Sequence, residues 1–167
     1  GDTDLPIGSH HWTSPDRPVV VQATRVTVVK GRTVTLGDPL LHDVRADQPA
    51  VLAEWRHLTN VGIQNLRFQF PDAPAFGHHL EQGYNGIYMT GVFDGWVRNL
   101  VIDQSDSGIL TDNAASLTIA NVTTTGARRA HYSVHVGAVH NVLVTDLKVE
   151  NPVIHPLSVN TRSTRSV

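Results

Sequence analysis

The chain has 167 residues, which is enough for one domain or for part of a larger one. Charged residues make up only 17% of it, and the formal net charge is -2. Without a basic excess and without a long apolar run, we expect neither nucleic acid nor a membrane as a partner. The absence of cysteine excludes a disulfide scaffold, a thiolate nucleophile and any cysteine-ligated metal centre.

The first third of the chain favours β-structure. Its β-type runs are Val19-Val20-Val21, Val26-Thr27-Val28-Val29 and Thr33-Val34-Thr35-Leu36, with Lys30-Gly31 as a turn between the last two. We therefore expect residues 1–54 to form an N-terminal β segment with a first partial coil, and residues 55–167 to form the main body.

The main body contains a repeat. Four segments each place an apolar residue two positions before an Asn or Asp, and another directly after it. This amide column consists of Asn65, Asn99, Asn121 and Asp146, at spacings of 34, 22 and 25 by subtraction. A second column, Ile87, Ile109 and Val134, repeats the steps of 22 and 25. Such a period with short strands and no helical pattern is typical of a β-solenoid.

The repeated Asn pattern, followed by the Gly-Ile strands at positions 86 and 108, resembles the right-handed parallel β-helix of the pectate-lyase-like superfamily (pectin lyase fold). The resemblance covers about Trp55 to Val167. It implies an all-β, right-handed parallel β-helix of about five short coils. It also implies that the amide column is scaffold, that one outer face holds a saccharide groove, and that the protein is secreted or extracellular.

Strand alternation predicts which side chains face solvent. If Ile87, Ile109 and Val134 point inward, their neighbours point outward. Asp106 and His131 would then lie on adjacent coils about 4.8 Å apart, close enough for a carboxylate to orient an imidazole. The whole predicted outward set is Tyr84, Tyr88, Thr90, Asp106, Leu110, Asp112, His131 and His135.

Two insertions interrupt the repeat. The first coil is 12 residues longer than the next (34 minus 22), and the surplus falls in 69–82, which holds His78 and His79. A three-residue expansion falls within 126–131, which holds Arg128 and Arg129. Long loops on a regular solenoid usually serve binding or cover an end.

Histidine spacing also bears on metal binding. His131 and His135 would span about 13 Å on a strand, too far apart to share one ion. His78 and His79 would diverge in an extended chain but can converge in a loop, so that pair stays open. We assign the protein no metal and no cofactor.

The resemblance alone does not choose an activity. Intact polygalacturonase motifs and the clustered aspartates of calcium-dependent pectate lyases are both missing, which leaves a metal-independent lyase or epimerase. The leading hypothesis is β-elimination on a uronate-containing polysaccharide. His135 or Arg129 would be the base and Tyr88 the acid, Asp106 would orient His131, and Arg128 would bind a carboxylate. Tyr84, His79, Thr90 and Asp112 would complete the substrate site.

Two alternatives remain. One is a non-catalytic glycan-binding or assembly module. The other is a fragment of a larger β-helix enzyme, whether lyase, glycoside hydrolase or epimerase. The chain ends within an apparent coil, and an uncapped solenoid end exposes strand edges. We therefore expect either self-association through that end or continuation in a longer natural chain.

Overall fold

The computed structural model describes residues 21–47, 50–137 and 139–160. Within these ranges all regular secondary structure is β-strand. No helix long and apolar enough to cross a membrane occurs among these residues. The strands are β1 Val26–Lys30, β2 Thr33–Leu36, β3 Leu58–Gln69, β4 Asn85–Asp103, β5 Ser107–Thr125, β6 Ala130–Gly137, β7 Val139–Val149 and β8 Val153–Asn160.

The first two strands form a separate antiparallel hairpin. Gly31 takes a φ of 59°, a conformation that glycine adopts without strain, so the turn predicted at this point is confirmed. Arg25, just before β1, contacts the Asp94 carboxylate and lies 4.8 Å from the Phe93 ring, which joins the hairpin segment to the main body. Val19 and Val20 lie outside the described residues.

The remaining strands form a parallel β-solenoid of about three turns. The sheet runs in the order β3-β4-β5-β6-β8, and β7 also pairs with β5. The predicted steps are confirmed by the strand registers: Val61 pairs with Gly95, Ile87 with Ile109 and Leu117 with Val142, which are shifts of 34, 22 and 25 by subtraction. The right-handed sense and the count of about five coils stay predictions.

The long strands bend at residues with left-handed backbone. The amide column Asn65, Asn99, Asn121 and Asp146 has φ between 51° and 59°. Asn99 donates to Asn65 at 2.9 Å and Asn121 donates to Asn99 at 3.1 Å, so the predicted ladder forms along the solenoid axis. Asn tolerates this backbone region better than most residues, which explains its place at the bend.

A second bend column was missed in the sequence. It consists of Asn60, Asp94, Ser116 and Asn141, with φ between 53° and 59° and the same steps of 34, 22 and 25 by subtraction. Asn141 donates to the Ser116 hydroxyl at 3.2 Å. This column was not recognised because its positions hold different residue types. Asn, Asp and Ser nevertheless all form local hydrogen bonds that suit a turn.

The hydrophobic core lies inside the solenoid, enclosed by its stacked strands. Ile87, Ile109 and Val134 are buried as the alternation predicted, and Tyr88 on the opposite side of β4 is 58% exposed. Two hydroxyls also lie inside, where Thr124 and Ser133 hydrogen-bond to each other at 2.8 Å.

Both insertions occur where one coil passes into the next. The segment 70–84 joins β3 to β4, and 126–129 joins β5 to β6. Gln104, in the short link between β4 and β5, accepts hydrogen bonds from the backbone amides of Ala127 and Arg128, both at 2.9 Å. Gln104 also donates to the Asp72 carboxylate in the first segment at 3.4 Å. The two inserted segments therefore lie at one corner of the solenoid, which we call the insert corner.

Candidate functional site

A buried ion pair organises the insert corner. Arg128 donates to the Asp106 carboxylate at 3.2 Å, and the two side chains are 0% and 2% exposed. The other Asp106 oxygen accepts from the backbone amides of Gly83 and Tyr84, at 3.0 and 2.9 Å. The Arg128 guanidinium also lies 4.8 Å from the Tyr84 ring centre and donates to the Pro71 carbonyl. Loop 70–84 is thus fastened over the start of the strands.

This arrangement corrects one prediction. Asp106 and His131 do lie on adjacent coils, since His131 N–H donates to the Asp106 carbonyl at 2.7 Å. Neither faces solvent, however, with exposures of 1% and 7%, because loop 70–84 covers them. The Asp106 carboxylate is occupied by Arg128, and the carboxylate that contacts the His131 ring is Glu81, 3.1 Å from Nδ1.

Four histidines gather at the insert corner. His78 and His79 come from the loop, His131 from β6 and His155 from β8. The ring centre of His78 lies 4.2 Å from that of His131 and 6.0 Å from that of His155. His79 lies 3.9 Å from His78 and 5.1 Å from His131. The convergence of His78 and His79, left open by the sequence, therefore occurs and includes two further rings.

The Tyr132 ring supports this histidine cluster. It stacks on His131 at 4.0 Å and on His155 at 5.4 Å between centroids. On another side it lies 4.8 Å from the His135 ring. Burial raises the pKa of Tyr132, and the negative charge of Glu81 raises it further.

A second group of polar side chains lies on the outer face of the same sheet. Tyr88, Leu110, His135 and Ser158 are consecutive in the register of β4, β5, β6 and β8. We call Tyr88, Thr90, Asp112 and His135 the outward strip. Tyr88 donates to the Asp112 carboxylate at 3.3 Å, and Asn160 Nδ2 lies 3.5 Å from His135 Nε2.

The surroundings of the outward strip shift the pKa values of His135 and Tyr88 in opposite directions. Burial lowers the pKa of His135 below its usual 6.5, an effect that the nearby Asp112 charge opposes and His155 reinforces. Burial and the Asp112 carboxylate raise the pKa of Tyr88 above its usual 10.0, and a hydrogen bond with Thr90 opposes that rise. Near neutral pH, His135 is an unprotonated imidazole and Tyr88 a protonated phenol.

The other predicted site residues lie at the insert corner or in the outward strip. Arg129, His79 and Thr90 are exposed, and Tyr84 is partly buried beneath Arg128. Arg128 was predicted to bind a carboxylate of the substrate, but its side chain is fully buried in the ion pair with Asp106. The structure thus brings Tyr88, Asp112 and His135 together on one face and places His79 and His131 in the histidine cluster.

One member of the histidine cluster, His155, and the carboxylate beside it, Glu81, were missed in the sequence. His155 pairs in register with Tyr132, a step of 23 by subtraction, so extending the column past Val134 to Leu157 would have placed it. Glu81 lies in loop 70–84, where no repeat applies, and no sequence signal marked it as a partner of His131.

A groove on another side of the solenoid was also missed. It has a volume of about 330 Å³, and one of its lining residues is Trp96, whose indole lies across Gly62 of the preceding coil. The Arg98 guanidinium lies 5.7 Å from the Trp96 ring and also donates to Gln64 at 2.6 Å. The remaining lining residues are Asn60, Asp94, Gly95, Ser116 and Thr118.

The fold and both sites define the class of protein as a parallel β-solenoid with a polar outer sheet face and a histidine-rich insert corner. Comparison of the chain with known protein families, with curated proteins and with solved structures gave no match.

Proposed function

We propose that this β-solenoid is a carbohydrate-active protein of the pectate-lyase-like type that cleaves a uronate-containing polysaccharide by β-elimination. The observation that supports it most is the outward strip. There, the half-buried neutral imidazole of His135 and the exposed protonated phenol of Tyr88 lie on one outer sheet face, about two strand spacings or ~10 Å apart at their Cα atoms.

The chemistry follows from these two protonation states. His135 removes the proton at C5 of the uronate, and the electron pair of that C–H bond forms the C4–C5 double bond. The C4–O4 glycosidic bond breaks, and Tyr88 donates its proton to the departing O4. A base with a lowered pKa and an acid with a raised pKa are each in the form that this step requires.

A uronate-containing substrate also needs a cation for its carboxylates, and we assign Arg129 to a neighbouring sugar, because it lies six residues or about 20 Å along the chain from His135, too far to reach the reacting one. Arg128 was the earlier candidate, but its guanidinium is buried against Asp106, Pro71 and Tyr84. Arg129 is exposed in the same inserted turn, directly before β6. Thr90 and Asp112 are the remaining polar groups of the strip that a sugar hydroxyl can reach.

A screen of uronans tests the proposal. We expect one of them to yield unsaturated uronate ends, measured by their ultraviolet absorbance. The rate should rise with pH through a value below 6.5, as His135 loses its proton, and should fall only above 10.0, where Tyr88 loses its own. Absence of unsaturated product from every uronan would contradict the proposal, and so would a rate that falls as pH rises from 5 to 7.

The Trp96 groove favours a second candidate, a glycan-binding module without turnover. An indole beside Asn, Asp, Arg, Ser and Thr side chains offers an apolar face and hydrogen-bonding groups together. In the same screen, this candidate is favoured if an oligosaccharide changes the tryptophan fluorescence of the native protein without product and the change is lost in Trp96→Ala.

A further inference from the structure

Three histidines from separate parts of the chain bring their ring nitrogens close together. His78 lies in loop 70–84, His131 at the start of β6 and His155 on β8. One ligand nitrogen from each lies within 4.8 Å of the other two. None of these three residues belongs to the outward strip, so the reaction proposed there does not account for the histidine cluster.

The His131 ring has one nitrogen in contact with a carboxylate and one without a partner. Its Nδ1 faces the Glu81 carboxylate at 3.1 Å, which fixes the ring and leaves Nε2 free for a ligand bond. His131 Nε2 is buried, and none of the described residues hydrogen-bonds to it. A side chain that is 9% exposed with an unpaired buried nitrogen is costly unless some partner is bound there. A carboxylate on the far nitrogen of a metal-binding histidine is a common supporting arrangement.

The distances are close to those of a coordination sphere. Zinc binds histidine nitrogen at about 2.0–2.1 Å, so tetrahedral ligands stand roughly 3.4 Å from one another. Closing the cluster from 4.8 Å requires movements of about an ångström or more. His78 and His155 are exposed and can make them, while His131 stays fixed by Glu81 and by the Tyr132 ring.

We propose that His78, His131 and His155 form a binding site for a divalent transition-metal ion of the zinc class, with Glu81 as the group that orients His131. Among the described residues the cluster offers three imidazoles, and the Glu81 carboxylate beside it contacts His131 Nδ1. Nitrogen ligands favour zinc over calcium or magnesium, which prefer oxygen ligands. Three protein ligands leave a fourth position open toward solvent, where His78 and His155 are exposed.

Direct metal titration tests the site. The protein is stripped with a chelator and used with His10 and His11 replaced by Ala, because that adjacent pair could bind metal independently. Equilibrium dialysis against Zn²⁺ should show one ion per chain, and Co²⁺ should give the visible absorption of nitrogen ligation, displaced by Zn²⁺. Zn²⁺ should also raise the unfolding temperature, since it binds only the folded arrangement.

Variants identify the ligands. His78→Ala and His155→Ala, both at exposed positions, should each weaken Zn²⁺ binding by about tenfold or more, and Glu81→Gln by about 10–100-fold. His42→Ala, an exposed histidine remote in sequence from the cluster, is the matched control and should bind as the parent does. The proposal is overturned if the parent binds no Zn²⁺, or if the His78→Ala/His155→Ala double variant binds it unchanged.

Discussion

Replacing His135 by Ala is expected to lower kcat for uronan cleavage by about 10²–10⁴-fold, the range that a positioned general base contributes. His135 is the neutral imidazole of the outward strip, and Ala leaves no group to take the C5 proton. Tyr88→Phe should cause a loss of similar size by removing the proton donor and the hydrogen bond to Asp112. Initial rates of ultraviolet absorbance measure both.

Two controls make this expectation sharp. Added imidazole should restore part of the rate to His135→Ala but none to Tyr88→Phe, because it replaces only the base. His42→Ala should keep the parent rate, since His42 lies in neither the strip nor the histidine cluster. Equal rates for His135→Ala and the parent would remove His135 from the mechanism.

Replacing Arg128 by Met is expected to lower the free energy of unfolding by about 3–5 kcal/mol, because Asp106 would remain buried without its cation. The loss should appear as a lower urea midpoint with an unchanged slope. Loop 70–84 should loosen as well, since the Arg128 contacts with Pro71 and Tyr84 disappear with the guanidinium.

A matched ion pair provides the comparison. Lys148 and Glu150 are in contact at 2.6 Å, but their side chains are 70% and 45% exposed. Lys148→Met should therefore change the unfolding free energy by less than about 1 kcal/mol. The double variant Arg128→Met/Asp106→Asn should recover part of the loss, because an amide is cheaper to bury than an unpaired carboxylate. A cost for Arg128→Met no larger than for Lys148→Met would contradict a structural role for this pair.

The repeat explains why much of the fold could be predicted. Parallel strands stack in register, so equal sequence steps in two columns fix which residues are neighbours across coils, and Asn99 and Ile109 could be placed from spacing alone. The same logic located Tyr88, Asp112 and His135 on one face. It failed at the insert corner, because residues inserted into a repeat have no counterpart on the next coil. Glu81 against His131 and Arg128 against Asp106 depend on how loop 70–84 folds back, which no period encodes.

The second bend column shows a different limit. Asn60, Asp94, Ser116 and Asn141 share a backbone conformation but not a residue type. The sequence pattern followed the chemical identity of Asn and therefore found one column and not the other, although both have the same spacing.

The position of the two insertions has a consequence for how such a protein can change. Both enter where one coil passes into the next, and the strands that each insertion joins still pair in register, β3 with β4 and β5 with β6. Chain length can therefore vary at the insert corner while the stacked walls stay fixed. The stacked strands can stay unchanged while the inserted segments vary in length and sequence. New functional side chains can therefore be introduced at the insert corner without refolding the rest of the solenoid.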